Sequence, residues 1–310
     1  MFKDYLRIRS RGFQLAVFLF IWAGLYLVAV LLQMLLIRQL FHIGNDGLSD
    51  FVEGAITQHP NFVIVSNALY SLLVFGVPAF LFAYLAHPKP AAYLGLRRPS
   101  ASGQWVWAVV VALALVPLLM TVGGLVNELN LGAAAKRLQE FRESQINAYL
   151  KSTDAWGLLR NILFLALLPA FCEELFFRGV VQRFAYAYWK KAGGAVLISA
   201  FAFALMHRSL YDFLPIFMAG LVLGWLYQQS RSLWLNVTVH LLFNGLQVVI
   251  AYYAVRYEVL NRVGEDWLYM GVAALVALLI LTIALIRLYR LRSPFPKTWG
   301  VEEPQAILED

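Results

Sequence analysis

Three short stretches of this chain carry residues that could do chemistry in an otherwise apolar sequence. The first is Glu173-Glu174-Leu175-Phe176-Phe177-Arg178. Glu174 and Arg178 stand at i,i+4, so on a helix they share a face and can pair. Glu173 is rotated by about 100° from Glu174 and is left without that partner. A carboxylate in an apolar site has its proton affinity raised, which suits a general base acting on water. Glu174 and Arg178 read instead as an ion pair that supports the site. The second stretch, Phe203-Ala204-Leu205-Met206-His207, ends in a histidine. The third, His240-Leu241-Leu242-Phe243-Asn244, places a histidine and an asparagine at i,i+4 on one helical face. Both can donate hydrogen bonds to a developing oxyanion. Read alone, each of these has a plainer alternative: a hydrogen-bonded packing histidine for His207, an interhelical polar clamp for His240 and Asn244. Of the five histidines, His42, His59 and His87 fall in expected loops, and His207 and His240 fall in expected spans.

The elements that must position these groups are membrane helices. The chain of 310 residues is 61% hydrophobic and 14% charged, against 45–50% and about 25% for soluble domains. Runs of roughly 20 apolar residues, enough to cross a bilayer, recur along it. The expected fold is an all-α, polytopic membrane helical bundle of about eight transmembrane helices. The spans fall near 14–37, 62–86, 105–127, 155–186, 193–208, 211–228, 233–255 and 267–289. The first apolar run is longer than a signal-peptide core and has no small-x-small cleavage site behind it, so it reads as a retained span. Three regions are expected: 1–154 with N-terminal membrane helices and a possible interfacial helix, 155–250 with the three polar stretches, and 251–310 with the last span and a cytoplasmic tail.

The net charge of +7 does not indicate nucleic acid, because the basic residues flank spans instead of forming one patch. They are in excess on the side of Lys3, Arg7, Lys190, Lys191 and Arg290, which puts both termini in the cytoplasm, as in a bacterial inner-membrane protein. The segment from Ala135 onward looks like an amphipathic helix with Leu138, Phe141 and Leu150 as apolar contacts. It could lie in the membrane interface or be solvated. Cys172 is the single cysteine, so no internal disulfide forms, and it reads as a small packing residue. Gly220 and Gly224 have the spacing that lets helices approach closely. No repeat is evident. Counted along helices from the Lys190-Lys191 turn and from Arg231, the three stretches reach similar depth, Glu173 at about 25 Å, His207 at about 24 Å, His240 and Asn244 at about 14 and 20 Å.

Together the three stretches resemble the CPBP family of intramembrane proteases, which includes the CAAX prenyl endoproteases and the bacterial proteins often labelled Abi. The family motifs Glu-Glu-x-x-x-Arg, Phe-x-x-x-His and His-x-x-x-Asn stand in order at Glu173–Arg178, Phe203–His207 and His240–Asn244. The stretch from Gly220 to Trp234 is similar to the family's linker into the third motif. The resemblance covers about 155–250. It implies Glu173 as general base on a water, His207 holding or polarising that water, His240 and Asn244 stabilising the oxyanion, Glu174 and Arg178 in support, and Phe203 shaping the site. The family has also been described as metal-dependent, and Glu173, His207 and His240 could supply the three ligands of a zinc site. His-Glu-x-x-His is missing, and asparagine is a better oxyanion donor than a metal ligand, so the expectation is a glutamate mechanism without a cofactor, with zinc or another divalent metal as the alternative. The expected partners are a peptide or lipidated protein substrate and membrane lipids. From the raw polar pattern, a transporter or proton relay and an immunity or binding protein on the same fold remain alternatives.

Overall fold

The structure, a computed structural model, describes residues 3–43, 54, 59–150, 154–254, 257 and 266–292. The tail after residue 292 and the end of the seventh expected span at 255 lie outside the described residues, as does the side chain of Leu150. The described residues form helices and include no strand.

Among the described residues nine principal helices follow one another: α1 (Arg11–Phe41), α2 (Pro60–Ala86), α3 (Gly103–Asn127), α4 (Ala133–Leu150), α5 (Ala155–Trp189), α6 (Ala192–Met206), α7 (Phe213–Ser230), α8 (Leu233–Ala254) and α9 (Trp267–Arg290). Six of them, α1, α2, α3, α5, α8 and α9, are long and apolar enough to cross a membrane. The chain is an integral, multi-pass membrane protein. Helices stand at all eight expected span positions, but α6 and α7 are shorter than the other six (15 and 18 residues). Local chemistry sets the boundaries. The Asp154 carboxylate accepts from Gly157 N–H at 2.6 Å and starts α5; Asp266 accepts from Leu268 and Tyr269 and starts α9. Lys190 and Arg231 close α5 and α7 in the left-handed conformation, φ 54° and 56°.

Helices in lipid gain little from the hydrophobic effect against one another, and close packing takes its place. The Gly220/Gly224 pair illustrates this. A Cβ at Gly220 would lie 3.0 Å from Ala200 Cα of α6, and one at Gly224 would lie 3.0 Å from Val196 Cγ1. The bare backbone of α7 therefore rests on α6 and exposes its carbonyls to α5. Cys172 packs in a similar way against Gly76, where a Cβ would come within 3.0 Å of its Sγ. An aromatic cluster of Phe18, Phe75, Phe82, Phe176 and Phe177 ties α1 and α2 to α5. A second apolar cluster joins α3, α7, α8 and α9. The polar stretches lie where these two halves meet.

The turn into α8 is clamped. Gly95 (φ 78°) follows α2 and presents its carbonyl to Leu233 N–H at 2.8 Å. Arg97 donates to the Arg231 carbonyl at 2.8 Å, and the Ser232 hydroxyl donates to the Arg97 carbonyl at 2.6 Å. A Cβ at residue 95 would stand 2.6 Å from the Tyr227 hydroxyl, so glycine is required there on two counts. This clamp fixes where α8 begins, and with it the depth of His240.

Candidate active site

Two segments of α5 widen from α-helical to π-helical pairing, Ile162–Leu167 and Phe177–Gln182. Such widenings are frequent at functional sites, and here they flank Glu173 and Glu174. The pairing expected from sequence is present: Arg178 donates to Glu174 at 2.8 Å, and both side chains are fully buried. The i,i+4 ladder continues beyond it. Arg178 also donates to the Gly220 carbonyl at 3.2 Å, and Gln182 donates to the Gly224 carbonyl at 2.8 Å. The bare α7 backbone thus supplies two acceptors for two polar groups of α5, which would otherwise be stranded in apolar surroundings. The Arg178 guanidinium also lies 4.7 Å from the centre of the Phe203 ring, giving that phenylalanine a definite supporting contact.

Glu174 gathers three partners. Besides Arg178, it accepts from Asn236 at 3.1 Å and is bonded to His240 Nδ1 at 3.0 Å. Asn236 is a site residue that the sequence reading missed. The signal was present: Asn236, His240 and Asn244 recur every four residues on one face of an apolar helix. Asn236 also donates to the Leu223 carbonyl at 2.7 Å, which ties α7, α8 and α5 together at the carboxylate.

These contacts fix the orientation of both histidines. A carboxylate paired with arginine accepts only, so His240 Nδ1 carries the proton and Nε2 points away from Glu174. It faces Glu173 Oε2 at 3.8 Å. His207 Nδ1 lies 2.8 Å from the Phe203 carbonyl, which also only accepts, so its Nε2 is the free ring nitrogen. Phe203 packs against both imidazoles, with ring centres 4.8 Å from His207 and 5.7 Å from His240. One difference from the sequence reading concerns His207. It caps the C-terminus of α6 and is not inside a span, because the helix ends at Met206.

Glu173, His207, His240 and Asn244 line one cavity of about 720 Å³. It reaches the end of the bundle where Arg142 and Asp212 stand. The Glu173 carboxylate accepts no hydrogen bond from the described residues, and neither does the Asn244 amide make one. The two carboxylates side by side in the sequence therefore sit in unlike settings. Glu174 is saturated and fully buried, and Glu173 opens into the cavity. The amphipathic segment is the helix α4, docked across the cavity end: Arg142 donates to the His207 carbonyl and pairs with Asp212 at 3.4 Å, and Gln139 accepts from the Ser209 hydroxyl at 3.1 Å. Leu138, expected to make an apolar contact, is 45% exposed.

Among the described residues, no group of three or more His, Cys, Asp and Glu stands close enough to hold a metal ion. His240 and Glu173 face each other, but His207 does not complete a set with them, so the side chains as arranged do not fit a three-ligand zinc site.

Residues 155–246 match the family model described as Type II CAAX prenyl endopeptidase Rce1-like. The match starts at the first residue of α5 and ends two residues after Asn244, so it contains all three motifs. No curated protein and no solved structure matches the chain.

Proposed function

We propose, from the match of residues 155–246 to the Rce1-like type II CAAX prenyl endopeptidase model, that this membrane protein is an endopeptidase cutting near the C-terminus of lipidated peptides or proteins, with Glu173 as general base. One observation carries the assignment: of two adjacent glutamates, Glu174 is consumed by Arg178, Asn236 and His240, whereas Glu173 faces a cavity shared with His207, His240 and Asn244.

Glu173 takes a proton from a water held against His207 Nε2. The resulting hydroxide attacks the scissile carbonyl carbon. The oxyanion receives Nδ2–H from Asn244. It receives Nε2–H from His240 when that ring is doubly protonated, because its Nδ1 proton is already committed to Glu174. Glu173 then passes its proton to the departing amine, so the proton balance closes without a cofactor. Arg178, Asn236 and Phe203 act through the groups they hold in place. Both termini lie in the cytoplasm in this reading, which the excess of basic residues on their side supports, and the Arg142–Asp212 end of the cavity faces the opposite side.

The test is cleavage of a library that includes lipidated C-terminal peptides by detergent-purified protein, wild type beside Glu173→Gln, each with and without a zinc chelator. The expected result is a loss of about 10²–10⁴-fold in the variant, the usual contribution of a general base, with chelation leaving the wild type unchanged. Full activity in a folded Glu173→Gln protein would refute the mechanism. Loss on chelation would replace it with a metal-dependent one.

A further inference from the structure

A second cavity, of about 670 Å³, lies on the other face of α5, between α1 and α6. Its volume is in the range of about 300–1,000 Å³ typical of small-molecule sites. Its walls are apolar and largely aromatic, with Phe18, Trp22, Phe176, Phe177, Phe184 and Trp189 among them. It shares no lining residue with the Glu173 cavity, and the Phe177–Phe203 contact, 5.1 Å between ring centres, stands between the two.

The long axis of this cleft runs along α1 from Arg11 to Trp22. Eleven residues at 1.5 Å each give about 16 Å, against about 15 Å for one leaflet of a hydrocarbon core about 30 Å thick. The two ends differ in character. One is apolar, closed by Trp22, Phe176 and Met206. At the other, Arg11 lines the cleft and donates to the Ala187 carbonyl, and exposed Lys190 and Lys191 follow directly after Trp189. Asp4 is the one acid in the described segments that join or precede helices at this end. Tyr188 and Trp189, 68% and 53% exposed, stand at the level of this basic rim, where amphipathic rings meet the headgroup layer.

We propose that this cleft binds one anionic phospholipid from the leaflet on the side of the N-terminus, with an acyl chain along α1 and the headgroup phosphate among Arg11, Lys190 and Lys191. Apolar lining, a length of one leaflet and a basic rim at one end are together the chemistry of a phospholipid, and the excess of positive charge selects an anionic one. This inference does not depend on the peptidase reading.

Native mass spectrometry of delipidated, detergent-purified full-length protein tests it, with phosphatidylglycerol and phosphatidylcholine of identical chains titrated at fixed salt. Wild type is expected to hold phosphatidylglycerol more tightly. The double substitution Lys190→Gln with Lys191→Gln is expected to weaken phosphatidylglycerol about 30-fold, from about 1 kcal/mol per cation near the surface, and to leave phosphatidylcholine unchanged. Gly12→Phe fills the cleft: a Cβ there meets nothing within 4 Å, so the ring enters open space without a backbone clash. It is expected to abolish retention of both lipids. Equal affinity for the two lipids, or phosphatidylglycerol retained by Gly12→Phe as by wild type, would overturn the proposal. Displacement of the bound lipid by a farnesylated peptide would overturn it too, by giving the cleft to substrate.

Discussion

Replacing Arg178 with methionine perturbs the group on which the site's geometry depends most. The guanidinium is fully buried, 2.8 Å from Glu174, 3.2 Å from the Gly220 carbonyl and 4.7 Å from the Phe203 ring centre. Removing one partner of a buried ion pair costs about 3–5 kcal/mol, because the remaining charge is left uncompensated. Two effects oppose each other here. Asn236 and His240 still donate to Glu174, which pulls the cost toward the lower limit. The buried Gly220 carbonyl loses its side-chain donor, which adds about 0.5–1.5 kcal/mol. A net loss of about 3–5 kcal/mol is therefore expected. Reversible unfolding in detergent or bicelles would measure it, with Glu174→Gln and the double substitution completing a cycle. Glutamine removes the charge; its one oxygen can serve His240, and its amide nitrogen then stands where Oε2 accepted from Asn236, a loss of about 1 kcal/mol against several for a bare buried charge. The double variant is thus expected to be more stable than Arg178→Met alone by about 1–3 kcal/mol, even though it carries one substitution more. If Arg178→Met lost less than about 1 kcal/mol, or if the two single costs simply added, the picture of a dry, mutually dependent pair would be wrong.

Three further outcomes follow from the same geometry. Asn244→Ala is expected to lower kcat by about 10²–10³ with unfolding unchanged, since its amide bonds no described residue; a matching fall in stability would make it a clamp instead. Asn236→Leu removes donors to Glu174 and Leu223 and should destabilise the protein by about 1–3 kcal/mol while lowering kcat through His240, which paired unfolding and rate measurements would detect. Gly220→Leu drives a side chain into Ala200, 3.0 Å from the site of its Cβ; a cost of about 1–3 kcal/mol and a smaller folded yield are expected by gel filtration, and a normal yield would show that α7 can retreat from α6.

The sequence by itself determined the membrane class, the helix at each of the eight expected span positions, and the Glu174–Arg178 pair. These are local or compositional properties. Apolar runs are dictated by the bilayer, and residues four apart on a helix must share a face. It also singled out Glu173, His207, His240 and Asn244, because a polar group at such positions is costly enough to need a reason. That these four line one cavity was decided by the tertiary structure, since residues from α5, α6 and α8 meet only when those helices pack. The other two partners of Glu174 were decided there as well: the recurrence of Asn236, His240 and Asn244 on one face was visible, but not which carboxylate Asn236 and His240 would reach from another helix. So was the free ring nitrogen of His240, which is set by the Glu174 carboxylate of another helix, whereas that of His207 is set locally by the Phe203 carbonyl one turn behind it. The role of Gly220 and Gly224 divides in the same way. Their spacing announced close packing, but only the packed bundle shows that the carbonyls they uncover accept from Arg178 and Gln182, turning a small-residue contact into the floor under the glutamates.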